Sequence, residues 1–148
     1  MRHACFVALL ALPLVFSSGC AVFIDLFTDP MGRKAAFSRN QRDYTKYVRW
    51  SDIEEAARFV HPEVRAEFLA YEGEFDGIRV TDFEVHQVSY SEAQRTARAR
   101  VTYTAYSMKT MVEREIKEVQ EWERQGKGNT WFVRPKLDGL VEQVADLR

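Results

Sequence analysis

The side chains able to do chemistry are few and unevenly placed. The chain has two cysteines, Cys5 and Cys20, both within the first twenty residues. With no cysteine further on, the rest of the chain can form neither an internal disulfide nor a thiolate metal site. His61 and His86 stand far apart with no cysteine beside them, which gives no ligand spacing for zinc. His61 precedes Pro62 at the junction of two predicted helices. It reads either as a polar group at the rim of a site or as a half-exposed junction residue. His86 reads as a solvent-facing strand residue. Arg114 and Glu118 fall on the same strand face as Val112 and Ile116. Charges among apolar neighbours are costly unless they are paired or near water, so these two could line an opening and orient a ligand. Arg95, Arg98 and Arg100 form a basic group. If the hairpin tip lies at residues 107 and 108, Arg100 comes opposite Glu115 and Thr102 opposite Glu113, a charge-paired solvent face. The same group could otherwise meet an acidic protein or lipid headgroups. Trp50, Trp122 and Trp131 read as core or rim packing.

Composition narrows the classes further. The chain has 148 residues, net charge −1 and 46% hydrophobic residues, the profile of one ordinary globular domain. A domain of this size folds without a metal or disulfide. Near-neutral charge argues against nucleic acid as the main partner, because phosphate binding needs a strong basic excess. No cofactor and no metal are implied.

The N-terminus has three parts. Arg2 supplies a positive start, Ala4–Phe16 (ACFVALLALPLVF) an apolar run of thirteen residues, and Ser17-Ser18-Gly19 a small-residue break before Cys20. That is the layout of a secretory signal peptide. Residues 4–24 carry no charge, so an uncleaved membrane span is the competing reading. Pro13, the Ser-Ser-Gly break and the short apolar run weigh against it. The segment ending in Ser18-Gly19-Cys20 resembles the lipobox of bacterial lipoproteins, although Ser17 stands where that family more often has an aliphatic residue. The resemblance implies a diacylglyceryl group on the Cys20 thiol, cleavage before Cys20, and acylation of the new amine. Two or more acyl chains anchor a protein stably. Ala21-Val22-Phe23 is similar to the export pattern rather than the aspartate that marks inner-membrane retention. The implied address is the outer membrane, facing the periplasm.

The boundaries expected are a signal peptide over 1–19, a lipidated cysteine and tether over 20–40, and an α+β domain over 41–148. In the tether, AVFIDLF is apolar and TDPMG reads as a turn. Its apolar residues could sit among headgroups or against the domain. Tyr44, Tyr47 and Val48 suggest a helix, and Ser51 with Glu54 is a capping-box pattern placing a helix start at Ser51. Val64, Phe68, Leu69 and Tyr71 give a further helix, ended by Gly73. In IRVTDFEVHQVSY the apolar parity slips twice, as across β-bulges. ARARVTYTAYS alternates cleanly, with Ala97, Ala99, Val101, Tyr103 and Ala105 on one face. TMVEREIKEVQEW and TWFVR give two more strands around a GKGN turn, and Leu137, Leu140, Val141 and Val144 a short C-terminal helix.

Helices followed by a bent antiparallel meander of about four strands is an α+β order. The stretches WSDIEEAARFVHPEVRAEF, IRVTDFEVHQVSY, ARARVTYTAYS and VQEWERQGKGNTWFVRPKL, spanning about residues 42 to 140, resemble the nuclear transport factor 2-like (cystatin-like) superfamily. The chain is also similar to small lipoproteins that carry this domain behind a lipobox. The resemblance implies a curved sheet wrapped around helices as a cone, whose interior can hold apolar ligands. His61, Tyr103, Arg114 and Glu118 are the pocket-lining residues it suggests. A steroid-isomerase-like reaction there would need a buried aspartate base and an opposed donor such as a tyrosine. Asp43, Asp52, Asp76, Asp82, Asp138 and Asp146 lack that signature, so no catalytic residue is assigned. The expectation is a membrane-anchored, non-enzymatic module whose cone or sheet face binds a protein or an apolar ligand. A cone-fold enzyme and a structural adaptor with a self-filled interior are the alternatives.

Overall fold

The computed structural model describes residues 29, 31–136 and 138–145. The signal-peptide and tether readings up to residue 28, Cys20 among them, lie outside the described residues, as does Leu137. The chain from Gly32 onward forms one compact unit.

Helix α1 spans Arg33–Arg49. Gly32 precedes it with φ 63°, a left-handed conformation that glycine adopts without penalty. Ala36, Phe37, Gln41, Tyr44, Thr45 and Val48 form its buried stripe at 3.6-residue spacing. The helix thus starts eight residues before Gln41, inside the stretch expected to be tether. Phe37 is the reason: its ring packs 5.8 Å from Trp122, 5.4 Å from Trp131 and 6.2 Å from Tyr90. Helix α2 spans Ile53–Ala57. Its N-cap is Asp52, not Ser51; Asp52 accepts a hydrogen bond from the Glu55 amide, while Ser51 takes a positive φ of 56°. Helix α3 spans Arg65–Ala70, with Phe68 buried, and a 3₁₀ turn over Glu72–Phe75 leads into the sheet. Gly73 therefore lies within that turn.

Four strands follow: β1 Ile78–Ser91, β2 Thr96–Ser107, β3 Glu113–Gln125 and β4 Thr130–Pro135. They form one antiparallel sheet in the order β1-β2-β3-β4. Strand β1 has register irregularities between Val80 and Asp82 and between Val85 and Val88, where the apolar parity slips in sequence. Each extra residue bends the strand and increases its twist. Inward positions alternate along β2 through Ala97, Ala99, Val101, Tyr103 and Ala105, and along β3 through Ile116, Glu118, Gln120, Trp122 and Arg124.

The β2–β3 register differs from the expected one by four residues: Arg100 faces Val119 and Thr104 faces Glu115. The connection is longer than a two-residue turn. Ser107 Oγ accepts from the Lys109 and Thr110 amides, and Met111 adopts a positive φ of 58°. The shift is even, so every side chain keeps its predicted face. Arg98 lies opposite Glu121.

Trp122 and Trp131 lie in the core, whereas Trp50 is 60% exposed. Helix α4 spans Asp138–Ala145 and buries Val144. Gln143 of α4 donates to the Lys117 carbonyl and accepts from the Lys117 amide, standing in for a strand where β4 is too short to pair. The opposite edge of β4 is covered as well: His61 N–H donates to the Val133 carbonyl and Val133 N–H to the Phe59 carbonyl.

Candidate functional site

The parity of β3 follows from Ile116 and Trp122, whose apolar side chains must face the helices. Strand alternation then turns Glu118 and Gln120 inward with them. Across from Glu118 stands Val101, and Tyr103 faces Ile116 on the same side. Helix α1 brings Gln41, Tyr44 and Thr45 down onto this face, because they occupy one helical stripe.

These residues close a buried polar network around one carboxyl group. Glu118 is 2% exposed. Its Oε1 accepts from the Tyr44 hydroxyl at 2.9 Å. Its Oε2 accepts from the Tyr103 hydroxyl at 2.7 Å and from Gln120 Nε2 at 2.8 Å. Gln120 Nε2 also donates to Thr45 Oγ1 at 3.0 Å, and its Oε1 accepts from Gln41 Nε2 at 3.1 Å and Trp122 Nε1 at 3.3 Å. Gln41 in turn donates to Thr45 at 3.1 Å. A second layer therefore holds Gln120 in the orientation that turns its amide toward the carboxyl. Satisfied networks of this kind rigidify a core and specify its geometry.

Electrostatics inside the network pull in two directions. Burial pushes the Glu118 carboxyl above its ordinary value, while bonds from Gln120, Tyr103 and Tyr44 pull it down; burial is the larger effect. The Tyr44 and Tyr103 phenols are held well above their ordinary value, by burial first and then by the Glu118 charge. Both therefore remain protonated donors. A carboxyl between two phenols has the elements of a general base beside hydrogen-bond donors. Here both of its oxygens are already engaged by the protein.

The four residues expected to line a pocket do not converge. Glu118 and Tyr103 meet in the network. His61 is 7% exposed but belongs to a separate cluster. Its Nε2 lies 2.9 Å from Gln125 Nε2 and 3.3 Å from Arg134 Nη2, and its ring meets Phe132 edge-on. Arg134 is paired with Glu63 at 2.8 Å, so the cluster bridges the α2–α3 junction to β4. The half-exposed setting expected for His61 is replaced by burial, because the 59–61 segment pairs with β4. Arg114 is exposed opposite Ala105, beyond the stretch of β3 that packs on the helices. His86 is on the surface, 3.0 Å from Thr102 Oγ1.

Gln41, Tyr44, Thr45 and Gln120 were not singled out by sequence. Gln120 could have been, since it is two residues from Glu118 and two from Trp122 on one alternating face. The outer face of the sheet carries an open groove of about 790 Å³, lined by Glu84, His86, Arg100, Thr102, Glu115 and Lys117 among others. Among the described residues no group of His, Cys, Asp and Glu is arranged to hold a metal ion, and no helix is long and apolar enough to cross a membrane.

No protein-family model matches the chain, and no curated protein matches it in sequence. Among solved structures it is similar to a putative polyketide cyclase from Xanthomonas campestris pv. campestris. That match has 12% identity and a TM-score of 0.50, and covers 76% of this chain and 98% of that one. A ketosteroid isomerase-like protein from Erwinia carotovora atroseptica is similar at 16% identity and TM-score 0.48, over 67% of this chain and 88% of that one. A second putative polyketide cyclase, from Silicibacter sp., is similar at 11% identity and TM-score 0.46, over 73% and 94%. At these identities the likeness is one of fold. The architecture is the nuclear transport factor 2-like cone: an α+β domain with helices in the curve of a four-stranded antiparallel sheet.

Proposed function

We propose that this chain is an envelope lipoprotein, cut and acylated at Cys20. On this reading the cone domain is a non-enzymatic interaction module held at the periplasmic face of the outer membrane. The observation that carries the non-enzymatic part is the enclosure of Glu118. The one carboxylate in the described core is 2% exposed, and both of its oxygens already accept within the core, from Tyr44, Tyr103 and Gln120. An interior filled by its own side chains fits a domain that presents a surface. The groove across β1, β2 and β3 is the surface we assign to a protein or small-ligand partner. The anchoring part is supported by the Ser18-Gly19-Cys20 sequence and by the lack of any later cysteine to pair with Cys20.

The test of anchoring is Cys20→Ser. Processing should stop, leaving a full-length precursor that takes up no labelled palmitate. A variant cut and located like the parent would refute lipidation at this residue.

A second reading is a small-molecule enzyme of the cone type, with steroid-isomerase-like chemistry. One observation favours it: the Glu118 carboxyl, its proton affinity raised by burial, lies between two phenol donors. It requires Tyr44 or Tyr103 to release the carboxyl to substrate. Ligand-induced change in the fluorescence of Trp122, which packs on Tyr44 at 5.8 Å, would support that reading. Loss of the change in Glu118→Gln would assign it to the carboxyl.

A further inference from the structure

Helix α1 carries six Lys or Arg and one Asp in seventeen residues, a balance of +5 within a chain whose net charge is −1. Its core-facing stripe is occupied by Ala36, Phe37, Gln41, Tyr44, Thr45 and Val48, so most of the charge lies on the other side. Lys34, Arg39, Arg42 and Lys46 are all exposed, and none forms an ion pair among the described residues. At 3.6 residues per turn, Arg39, Arg42, Lys46 and Arg49 fall within an arc of about 80° away from the buried stripe, and Lys34 is exposed in the first turn. Directly after the helix comes Trp50, 60% exposed, with the Arg49 guanidinium 5.2 Å from its ring centroid. An exposed tryptophan beside a basic helical face is the combination that settles at a bilayer's headgroup level.

The sequence spacing points the same way. Thirteen positions separate Cys20 from Arg33, and an extended chain of that length reaches at most about 45 Å. An acylated Cys20 would therefore keep α1 within about 45 Å of the headgroups.

We infer that the solvent face of α1, with Lys34, Arg39, Arg42, Lys46 and Trp50, docks the domain on an anionic phospholipid surface. This rests on anchoring at Cys20, which supplies the proximity; the charged face supplies the orientation. Docking through α1 leaves the groove on the other face of the sheet open to a partner.

The test uses the full-length lipidated chain reconstituted into vesicles of phosphatidylcholine alone, or of phosphatidylcholine mixed with phosphatidylglycerol. Retention on neutral vesicles reports the anchor. The added signal on anionic vesicles reports the helix face, so the two readings fail separately. Trp122 and Trp131 are buried, so a fluorescence blue shift and quenching by brominated lipid report Trp50, and Trp50→Phe is the control. We expect both signals on anionic vesicles only, and their loss at high salt. The combined variant Lys34→Gln, Arg39→Gln, Arg42→Gln and Lys46→Gln should weaken the anionic increment more than a hundredfold, at about fivefold per cation. Its circular dichroism should match the parent, because all four positions face water. Equal signals on neutral and anionic vesicles would overturn the inference, as would a charge variant that behaves like the parent. A basic face reserved for an acidic protein gives that result, with Trp50 unquenched on either surface.

Discussion

Replacing Glu118 with glutamine tests how the interior of this domain is balanced. The amide imitates a protonated carboxyl in shape and charge, but it brings one more N–H than the acid's single O–H. In the parent, Oε1 takes one donor and Oε2 takes two. If the amide keeps its carbonyl toward Tyr103 and Gln120, its nitrogen faces Tyr44. The phenol can then accept, but its own proton loses its partner. One unsatisfied buried donor costs about 1–3 kcal/mol, so the variant should be less stable than the parent by that amount in acid. The pH dependence runs the other way. Burial raises the folded Glu118 above its ordinary value of 4.5, so the folded parent holds more protons than the unfolded chain as pH rises from there. Parent stability is therefore fully present below that value and is lost as pH rises through the folded value, by about 1.4 kcal/mol per unit of upward shift. The variant has no such titration, so its deficit should shrink from acid toward neutral pH. Urea unfolding of both proteins across that range, followed by tryptophan fluorescence, measures the difference and cancels the other groups. A deficit that grows with pH would refute this balance and show that the three donors outweigh burial.

Further outcomes follow from the same contacts. Tyr103→Phe keeps the ring and removes the 2.7 Å donor; it should cost about 1–2 kcal/mol, more at neutral than at acid pH, in the same unfolding assay. Phe37→Ala should cost about 3–5 kcal/mol in urea unfolding, since the ring is 2% exposed among Tyr90, Trp122 and Trp131. A head begun at Gln41 lacks that ring altogether, whereas one begun at Gly32 retains it. Gln143→Ala should speed hydrogen exchange at the Lys117 amide, which loses its 2.9 Å acceptor, while amides in the β2–β3 ladder keep their protection.

The fold was legible where a single period governs a whole element. Strand β2 alternates without interruption, and the two slips in IRVTDFEVHQVSY coincide with the irregularities of β1. The hairpin register was not legible, because the chain turns through Ser107 side-chain bonds instead of a short turn. An even error of four residues nonetheless leaves each side chain on its proper face, which is why Glu118 could be placed inward from sequence. The start of α1 was hidden by its own chemistry. Two of its six inward residues, Gln41 and Thr45, are polar, so the apolar stripe looks broken until Glu118 and Gln120 are seen to meet it. Polar residues that satisfy one another across 75 or more positions leave no local pattern to read.

The two outer strands differ in how they end the sheet. Strand β4 has its free side occupied by Phe59 and His61, and the unpaired stretch of β3 is taken by Gln143. Strand β1 is the long rim, and its two irregularities bend it. A straight exposed rim invites the same strand of a neighbouring molecule to add on. If the chain is anchored at Cys20 as proposed, its heads would be held at one height in two dimensions, where such side-by-side addition is most easily propagated. The bends in β1 oppose that addition, and straightening them should make the domain self-associate.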